Sequence, residues 1–382
     1  MIEAEYFYKQ LLDFGVDFFT GVPDSLLKSF CAYITDNADE NKHIIAVNEG
    51  AAVALAAGYY FASGAYPLVY MQNSGIGNAV NPLLSLADPD VYRIPMLLVI
   101  GWRGEPGVYD EPQHVKQGKT TCGLLEAMGI SYAVLEKTED GVCRQINTCF
   151  HTLAKTYAPY AFVVQKDTFA PYMLQNKSPD PAGAEMTREE AIEKIILAEG
   201  SKDRGIFIST TGMISRELYE LREKYRAGHE RDFLTVGSMG HASSIALSIA
   251  LQKPELSVFC LDGDGAVLMH MGALASIGVK KPRNLCHIVL NNGAHDSVGG
   301  QPTIAPFIDI PEIARACGYA HVYAARTLEE LQTALAAANA EKEDGATFIE
   351  VRVKKGARKD LGRPKSTPAE NKDDLMKYMN GK

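Results

Sequence analysis

Two α/β domains, each a parallel sheet flanked by helices, are predicted by three features of the chain. Short apolar, β-rich runs alternate with longer helical patterns from end to end. The runs read as buried segments separated by helices, the signature of parallel sheets covered on both faces. A polar, Pro/Gly-rich stretch divides the chain near its middle.

In the first half the strand candidates are Val16–Thr20, Ile44–Val47, Pro67–Met71, Met96–Ile100 and Ala161–Gln165. In the second half they are Gly205–Ser209, Phe233–Val236, Ser257–Leu261, Asn284–Leu290 and Thr347–Val353. Between the halves lies Asn176–Ala184, which leads to Thr187-x-x-Glu190, a capping box that opens a new helix. This sets the expected domains at 1–178 and 187–355. The similar strand counts suggest two related domains, although no repeat is visible. After Val353 the chain turns basic, with Lys354, Lys355, Arg358, Lys359, Arg363 and Lys365. By composition, 356–382 reads as a solvated tail.

The length of 382 residues suits two such domains and a short tail. A net charge of -9 argues against nucleic acid, which needs a basic face, but allows an anionic small substrate in a locally cationic pocket. The seven cysteines show no metal-ligand spacing and read as free thiols of a reducing compartment. Met1–Glu5 lacks the basic region of a signal peptide, and no apolar run approaches the ~18 residues of a membrane helix. A cytoplasmic protein is expected.

The sharpest chemical signal lies in the second half. Strand Ser257–Leu261 runs into Asp262-Gly263-Asp264-Gly265, and strand Asn284–Leu290 runs into Asn291-Asn292-Gly293, with 25 residues between Gly265 and Asn291. Both turns therefore fall at carboxyl ends of parallel strands, where open α/β sheets bind ligands. A carboxylate with a carboxamide oxygen suits Mg²⁺, and the glycines flanking Asp264 let backbone approach phosphates. In the first half Glu49 stands at a strand-to-helix turn, Asn48-Glu49-Gly50-Ala51-Ala52.

The paired G-D-G and N-N turns resemble the diphosphate–Mg²⁺ signature of thiamine-diphosphate enzymes. That resemblance implies Asp264, Asn292 and the carbonyl of Ala294 as Mg²⁺ ligands, with Gly263 and Gly265 beside the diphosphate. It implies that Glu49 contacts the aminopyrimidine ring and favours the imino form that activates thiazolium C2. It also implies Gly237-Ser238-Met239-Gly240 as the turn whose Met239 wedges the cofactor into its bent shape.

Further segments closely resemble the phosphonopyruvate decarboxylases. They are Gly21–Lys28, Tyr70–Asn78, Gly101–Gly107, Asp110–Gly118, His295–Gln301 and the tail's Asp360–Pro364. The resemblance spans nearly the whole chain and fits its length, because larger relatives carry a middle domain that these decarboxylases lack. It implies decarboxylation of phosphonopyruvate to phosphonoacetaldehyde and CO₂, in phosphonate biosynthesis of the 2-aminoethylphosphonate type. A dianionic substrate needs cations and donors, and the loops offer Ser25, Asn73, Ser74, Arg103, His114, Lys116 and Lys119. Arg103 has a structural alternative, an ion pair with Glu105 or Asp110. His114 and His295 are candidates for proton transfer. The tail's cations have an alternative role in closing over the phosphonate. The resemblance further implies a homo-oligomer, a dimer at least, with the cofactor between the Glu49-bearing domain of one subunit and the Asp264-bearing domain of another.

The nearest rival is sulfopyruvate decarboxylation, with one charge less on the substrate. Acetolactate-type carboligation is disfavoured by the missing middle domain, and oxidative cleavage by the lack of a cysteine cluster. A non-catalytic thiamine-diphosphate-binding protein would have no use for Glu49.

Overall fold

The computed structural model describes residues 1–176, 179–199, 205–340 and 344–381. The chain forms two compact units, Met1–Lys177 with Ser297–Pro302, and Ser178–Asp296 with Thr303–Lys382. The limit expected at residue 178 falls outside the described residues.

The first unit carries β1 (Phe19–Gly21), β2 (His43–Ile45), β3 (Leu68–Gln72), β4 (Leu97–Gly101), β5 (Ser131–Val134) and β6 (Tyr160–Val164). All pair in parallel, in the order β2-β1-β3-β4-β6-β5. Period-2 geometry sends alternate residues of the central strands to opposite faces. Leu68, Tyr70, Leu97, Val99, Phe162 and Val164 join one core cluster. Val69, Met71, Leu98, Ile100, Ala161 and Val163 join the other. Both faces are covered, which is why these strands read as continuous apolar runs.

The second unit carries β7 (Gly205–Ser209), β8 (Asp232–Leu234), β9 (Ser257–Gly263), β10 (Leu285–Asn291), β11 (His321–Ala325) and β12 (Thr347–Arg352). Its parallel order is β11-β12-β10-β9-β7-β8. Counting β7 as its first strand and reading backwards gives 2-1-3-4-6-5, the order of the first sheet. In each sheet the chain's course reverses between the first and third strands, so β1/β3 and β7/β9 are the places where such sheets open a ligand crevice.

Three expectations are corrected. Strands β5 and β11 were not expected: both are partly buried edge strands of mixed polarity, whereas the other two edges, β2 and β8, fall on the expected runs Ile44–Val47 and Phe233–Val236. Several strand limits also shift by one to three residues, β1 most of all. The C-terminal segment is not a solvated tail. Leu361 is buried, and Thr367 and Glu370 form a capping box opening helix Pro368–Asn380. Asn371 donates to Asp232 O at 2.8 Å and accepts from Leu234 N at 2.9 Å, so this helix is fastened to strand β8. Arg358 pairs with Glu189, Glu220 and Asp360. Among the described residues no helix is long and apolar enough to cross a membrane.

Candidate active site

Strands β9 and β10 are neighbours, with Gly263 opposite Leu290, so Asp264 and Asn292 leave the second sheet at the same edge. Asp264 opens helix Asp264–Met269 and is 3% exposed; Asn292 is 4% exposed. The Thr303 hydroxyl donates to Asp264 Oδ2 at 2.5 Å. Burial pushes its carboxyl up to about 6, because desolvation disfavours the ionised form. Asn292 Oδ1 accepts the N–H of Ala294 at 3.1 Å, and its Nδ2 donates to Asp296 Oδ2 at 2.6 Å. Two buried oxygen donors at adjacent strand ends, one of them a carboxylate, fit a small hard cation.

The turn Gly237-Ser238-Met239-Gly240 brings Met239 to the same place. Ser238 takes φ 50° and Gly240 φ 85°, left-handed backbone that is strained for serine and free for glycine. A Cβ at 240 would meet the His270 ring at 2.6 Å. A Cβ at 265 would stand 3.1 Å from the His295 ring and 3.3 Å from Met239 Cε, so Met239, Gly265 and His295 converge. At 263 the nearest protein atoms would be 3.6 Å away; the protein itself does not require glycine there and leaves room for a ligand against the backbone. Burial lowers His295 to about 4, against the pull of Asp296. The chain leaving β12 reaches this region too: Lys355 is half-buried, with its pKa lowered by burial while Asp180, Asp296 and Asp264 draw it up.

In the first unit Asn48 caps helix Glu49–Ser63 through the N–H of Ala51 at 2.8 Å, so Glu49 starts the helix. Its carboxylate is buried, accepts from Asn78 Nδ2 at 2.8 Å and lies against Gly75, where a Cβ would overlap it.

A second cluster forms beyond β1, β3 and β4. Arg103 grips Asp110 through Nε at 2.7 Å and Nη2 at 2.5 Å, and donates from Nη1 to Ser25 at 2.6 Å. The structural alternative for Arg103 is therefore the one realised, with Asp110; Glu105 instead accepts from Gln165. Burial opposes ionisation of Asp110, yet Arg103 and the Gly104 N–H hold its carboxyl below the usual range. Asn73 donates to Arg103 O at 2.8 Å and Thr121 Oγ1 at 2.9 Å, and accepts from Arg103 N at 3.2 Å. Its amide holds the loop in shape. Ser74 is exposed and donates to Gln72 Oε1 at 2.7 Å; Lys116 and Lys119 are exposed on helix Pro112–Ala127.

His114 Nδ1 is buried without a partner among the described residues, and burial, aided by Arg103, lowers the ring to about 4. His114 and His295 are thus neutral near pH 7, because burial disfavours the imidazolium. This corrects the expectation of near-neutral pKa values that made them proton-transfer candidates.

Sequence reasoning missed Asp24, Asn78, Thr303 and Asp296 as site residues. Asp24 is wholly buried, accepts from Leu26 N at 2.9 Å and Gln72 Nε2 at 2.8 Å, and has its carboxyl pushed up by burial. Asp24, Asn78 and Asp296 stand inside the segments that carry the family resemblance, but nothing local marks them apart from loop residues.

Residues 1–121 match the N-terminal, and residues 210–351 the C-terminal, thiamine pyrophosphate-binding domain of thiamine pyrophosphate enzymes. The chain is 38% identical to a phosphonopyruvate decarboxylase of Streptomyces viridochromogenes, over 97% of this chain and 93% of that one. The chain belongs to the thiamine-diphosphate-dependent 2-oxoacid decarboxylases. A phosphonopyruvate decarboxylase of Streptomyces hygroscopicus is also 38% identical, over 97% of this chain and 92% of its own. A sulfopyruvate decarboxylase of Methanosarcina acetivorans is 28% identical, over 90% of this chain and 89% of its own. The protein is accordingly a thiamine-diphosphate-dependent carboxy-lyase. In this decarboxylase Glu49 falls within the N-terminal match, and Met239, Asp264, Asn292 and His295 within the C-terminal one.

Proposed function

We propose that this decarboxylase converts phosphonopyruvate to phosphonoacetaldehyde and CO₂, as a step in making phosphonates of the 2-aminoethylphosphonate type. The observation that carries this reading is the 38% identity, over 97% of the chain, to two phosphonopyruvate decarboxylases. We further propose Mg²⁺ as the metal, held by Asp264, Asn292 and the carbonyl of Ala294 beside the diphosphate. Gly237, Met239, Gly263 and Gly265 would line the rest of the cofactor. The functional unit is a dimer at least, in which the Glu49-bearing domain (1–178) of one subunit works with the metal-bearing domain (187–355) of another.

When bound, thiamine diphosphate supplies a nucleophilic carbon and a sink for the electron pair left by CO₂. Glu49 holds and moves the proton that selects the reactive ring form, with Asn78 fixing one carboxylate oxygen and leaving the other for that role. Asp264 and Asn292 hold the cation that offsets the diphosphate's charge. Arg103, locked to Asp110 and Ser25, shapes the loop that presents His114. Neutral His114 and His295 donate hydrogen bonds from ring N–H, and each gains basicity when an anion lies beside it. Asp24 retains a proton more readily than an exposed carboxylate and is a further proton carrier. Lys116 and Lys119, exposed on helix Pro112–Ala127, are candidates to meet the phosphonate.

Sulfopyruvate is a second reading, favoured by the 28% identity to a sulfopyruvate decarboxylase along most of the chain. CO₂ release from phosphonopyruvate, sulfopyruvate and pyruvate, with and without thiamine diphosphate and Mg²⁺, separates the two. A kcat/KM at least about tenfold higher for phosphonopyruvate, roughly 1.4 kcal/mol of discrimination, is expected. The reverse ratio would transfer the assignment to the sulfonate.

A further inference from the structure

A primary amide has two unlike ends, and only its oxygen can ligate a cation. Asn292 serves as a ligand only if its carboxamide is held the right way round. Its Nδ2 donates to Asp296 Oδ2 at 2.6 Å, and an ionised carboxylate accepts hydrogen bonds without donating them. The nitrogen is thereby fixed toward Asp296, while Oδ1 stays on the other side, where it meets the Ala294 N–H.

Asp296 is itself held from two further directions. The same Oδ2 accepts from Arg188 Nη1 at 3.0 Å and from the Gly356 N–H at 2.9 Å. Arg188, 4% exposed, turns Nε and Nη2 to Glu217 at 2.7 and 3.0 Å, and Glu217 is 1% exposed. The cluster joins the start of helix Arg188–Glu199, the helix Met213–Tyr225, the turn after β10 and the chain leaving β12. Its two carboxylates face one guanidinium, and Asp296 also draws on the half-buried Lys355. Burying such a group is weak evidence for a stabilising role, because desolvation offsets most of the attraction.

We propose that Asp296 is a positioning residue that, clamped by Arg188 and Gly356, holds Asn292 with its oxygen available to the cation. It thereby sets the site's preference for Mg²⁺ over larger divalent ions. The inference rests on the reading of Asn292 as a cation ligand. Mg²⁺ demands near-ideal octahedral geometry, whereas Ca²⁺ tolerates looser coordination, so a freed carboxamide penalises Mg²⁺ more.

The test titrates Mg²⁺ and Ca²⁺ calorimetrically into the full-length protein in the presence of thiamine diphosphate. Loss of an outer-shell partner costs about 10–100-fold in metal affinity, so Asp296→Ala should weaken Mg²⁺ at least about tenfold and Ca²⁺ under about threefold. Asp296→Asn, which keeps an acceptor oxygen, should hold Mg²⁺ within about threefold. Should the alanine variant fail to fold, Asp296→Ser, too short to reach Asn292, is scored by the same ratio. Equal losses for both ions, or none while Asn292→Ala abolishes binding, would overturn the positioning role alone. Unchanged binding in Asn292→Ala would overturn the ligand reading and the proposal together.

Discussion

Glu49 sits where a helix start, a glycine and an amide donor meet, and each neighbour limits what its carboxylate can do. Glutamine keeps the size and can still accept the Asn78 hydrogen bond, but it cannot exchange the proton. Glu49→Gln should therefore bind thiamine diphosphate normally while turnover falls about 10²–10⁴-fold, the usual worth of acid–base help. Hydrogen–deuterium exchange at C2 of the bound cofactor checks this, and a wild-type exchange rate would remove Glu49 from the role. Arg103 gives the opposite pattern. Lysine cannot reproduce a fork that reaches Asp110 and Ser25 together, so Arg103→Lys should cut kcat/KM on phosphonopyruvate and pyruvate alike, by about tenfold. A rise in KM confined to phosphonopyruvate would instead mean direct contact with the phosphonate. His114 carries a pH signature. Its folded-state pKa of about 4 lies below the usual ~6.5, so the unfolded chain takes the proton first. Its contribution to stability is lost as pH falls from about 6.5 toward 4. His114→Gln should flatten that slope, read as the difference in Tm between variant and wild type across the window. Buried acids such as Asp24 act in the opposite sense but cancel in the difference. Asp264, Asn292 and Glu49 were legible because each follows a recognisable strand end. Thr303 and Asp24 were not, since only the folded chain sets the Thr303 hydroxyl on Asp264 or buries Asp24 under Gln72.

Burial on both faces made the central strands readable, whereas only two of the four edge strands, β2 and β8, could be read. Leu97–Gly101 is buried at every position and announces itself as an apolar run. Ser131–Val134 and His321–Ala325 each have one neighbour strand and partly exposed side chains, so their sequences carry mixed polarity. The C-terminal helix failed for a different reason. Thr367-x-x-Glu370 is the same capping box as Thr187-x-x-Glu190, but the basic residues ahead of it dominated the reading. Asn371 is the fastening, because its amide takes up Leu234 N and Asp232 O at the edge of the second sheet. Asn371→Ala would leave both backbone groups unpaired in a buried position, at about 1–3 kcal/mol. The expected result is a lower Tm and earlier proteolysis after residue 353, with C2 exchange in the bound cofactor unchanged. An unaltered Tm would mean that the helix contributes nothing to the second unit.

The two units share one strand order without a visible sequence repeat, because order depends on where crossovers land and not on which residues line them. The alternation of strands and helices was legible; the common 2-1-3-4-6-5 order was not. Glu49 belongs to one unit and Asp264 to the other, which allows a test of the proposed dimer at the level of the whole molecule. Glu49→Gln and Asp264→Ala should each inactivate a homodimer, the first by losing ring activation and the second by losing Mg²⁺-dependent cofactor binding. If each site takes its Glu49 from one subunit and its Asp264 from the other, a mixed dimer holds one site with both defects and one with neither. Random pairing makes half the dimers mixed, so co-expression should restore about a quarter of wild-type activity. If instead each site is built within one chain, every site in the mixture carries one defect and nothing is restored. Activity assayed on co-expressed, doubly tagged protein separates the two arrangements, and an absence of recovery in purified mixed dimers would rule out the shared site.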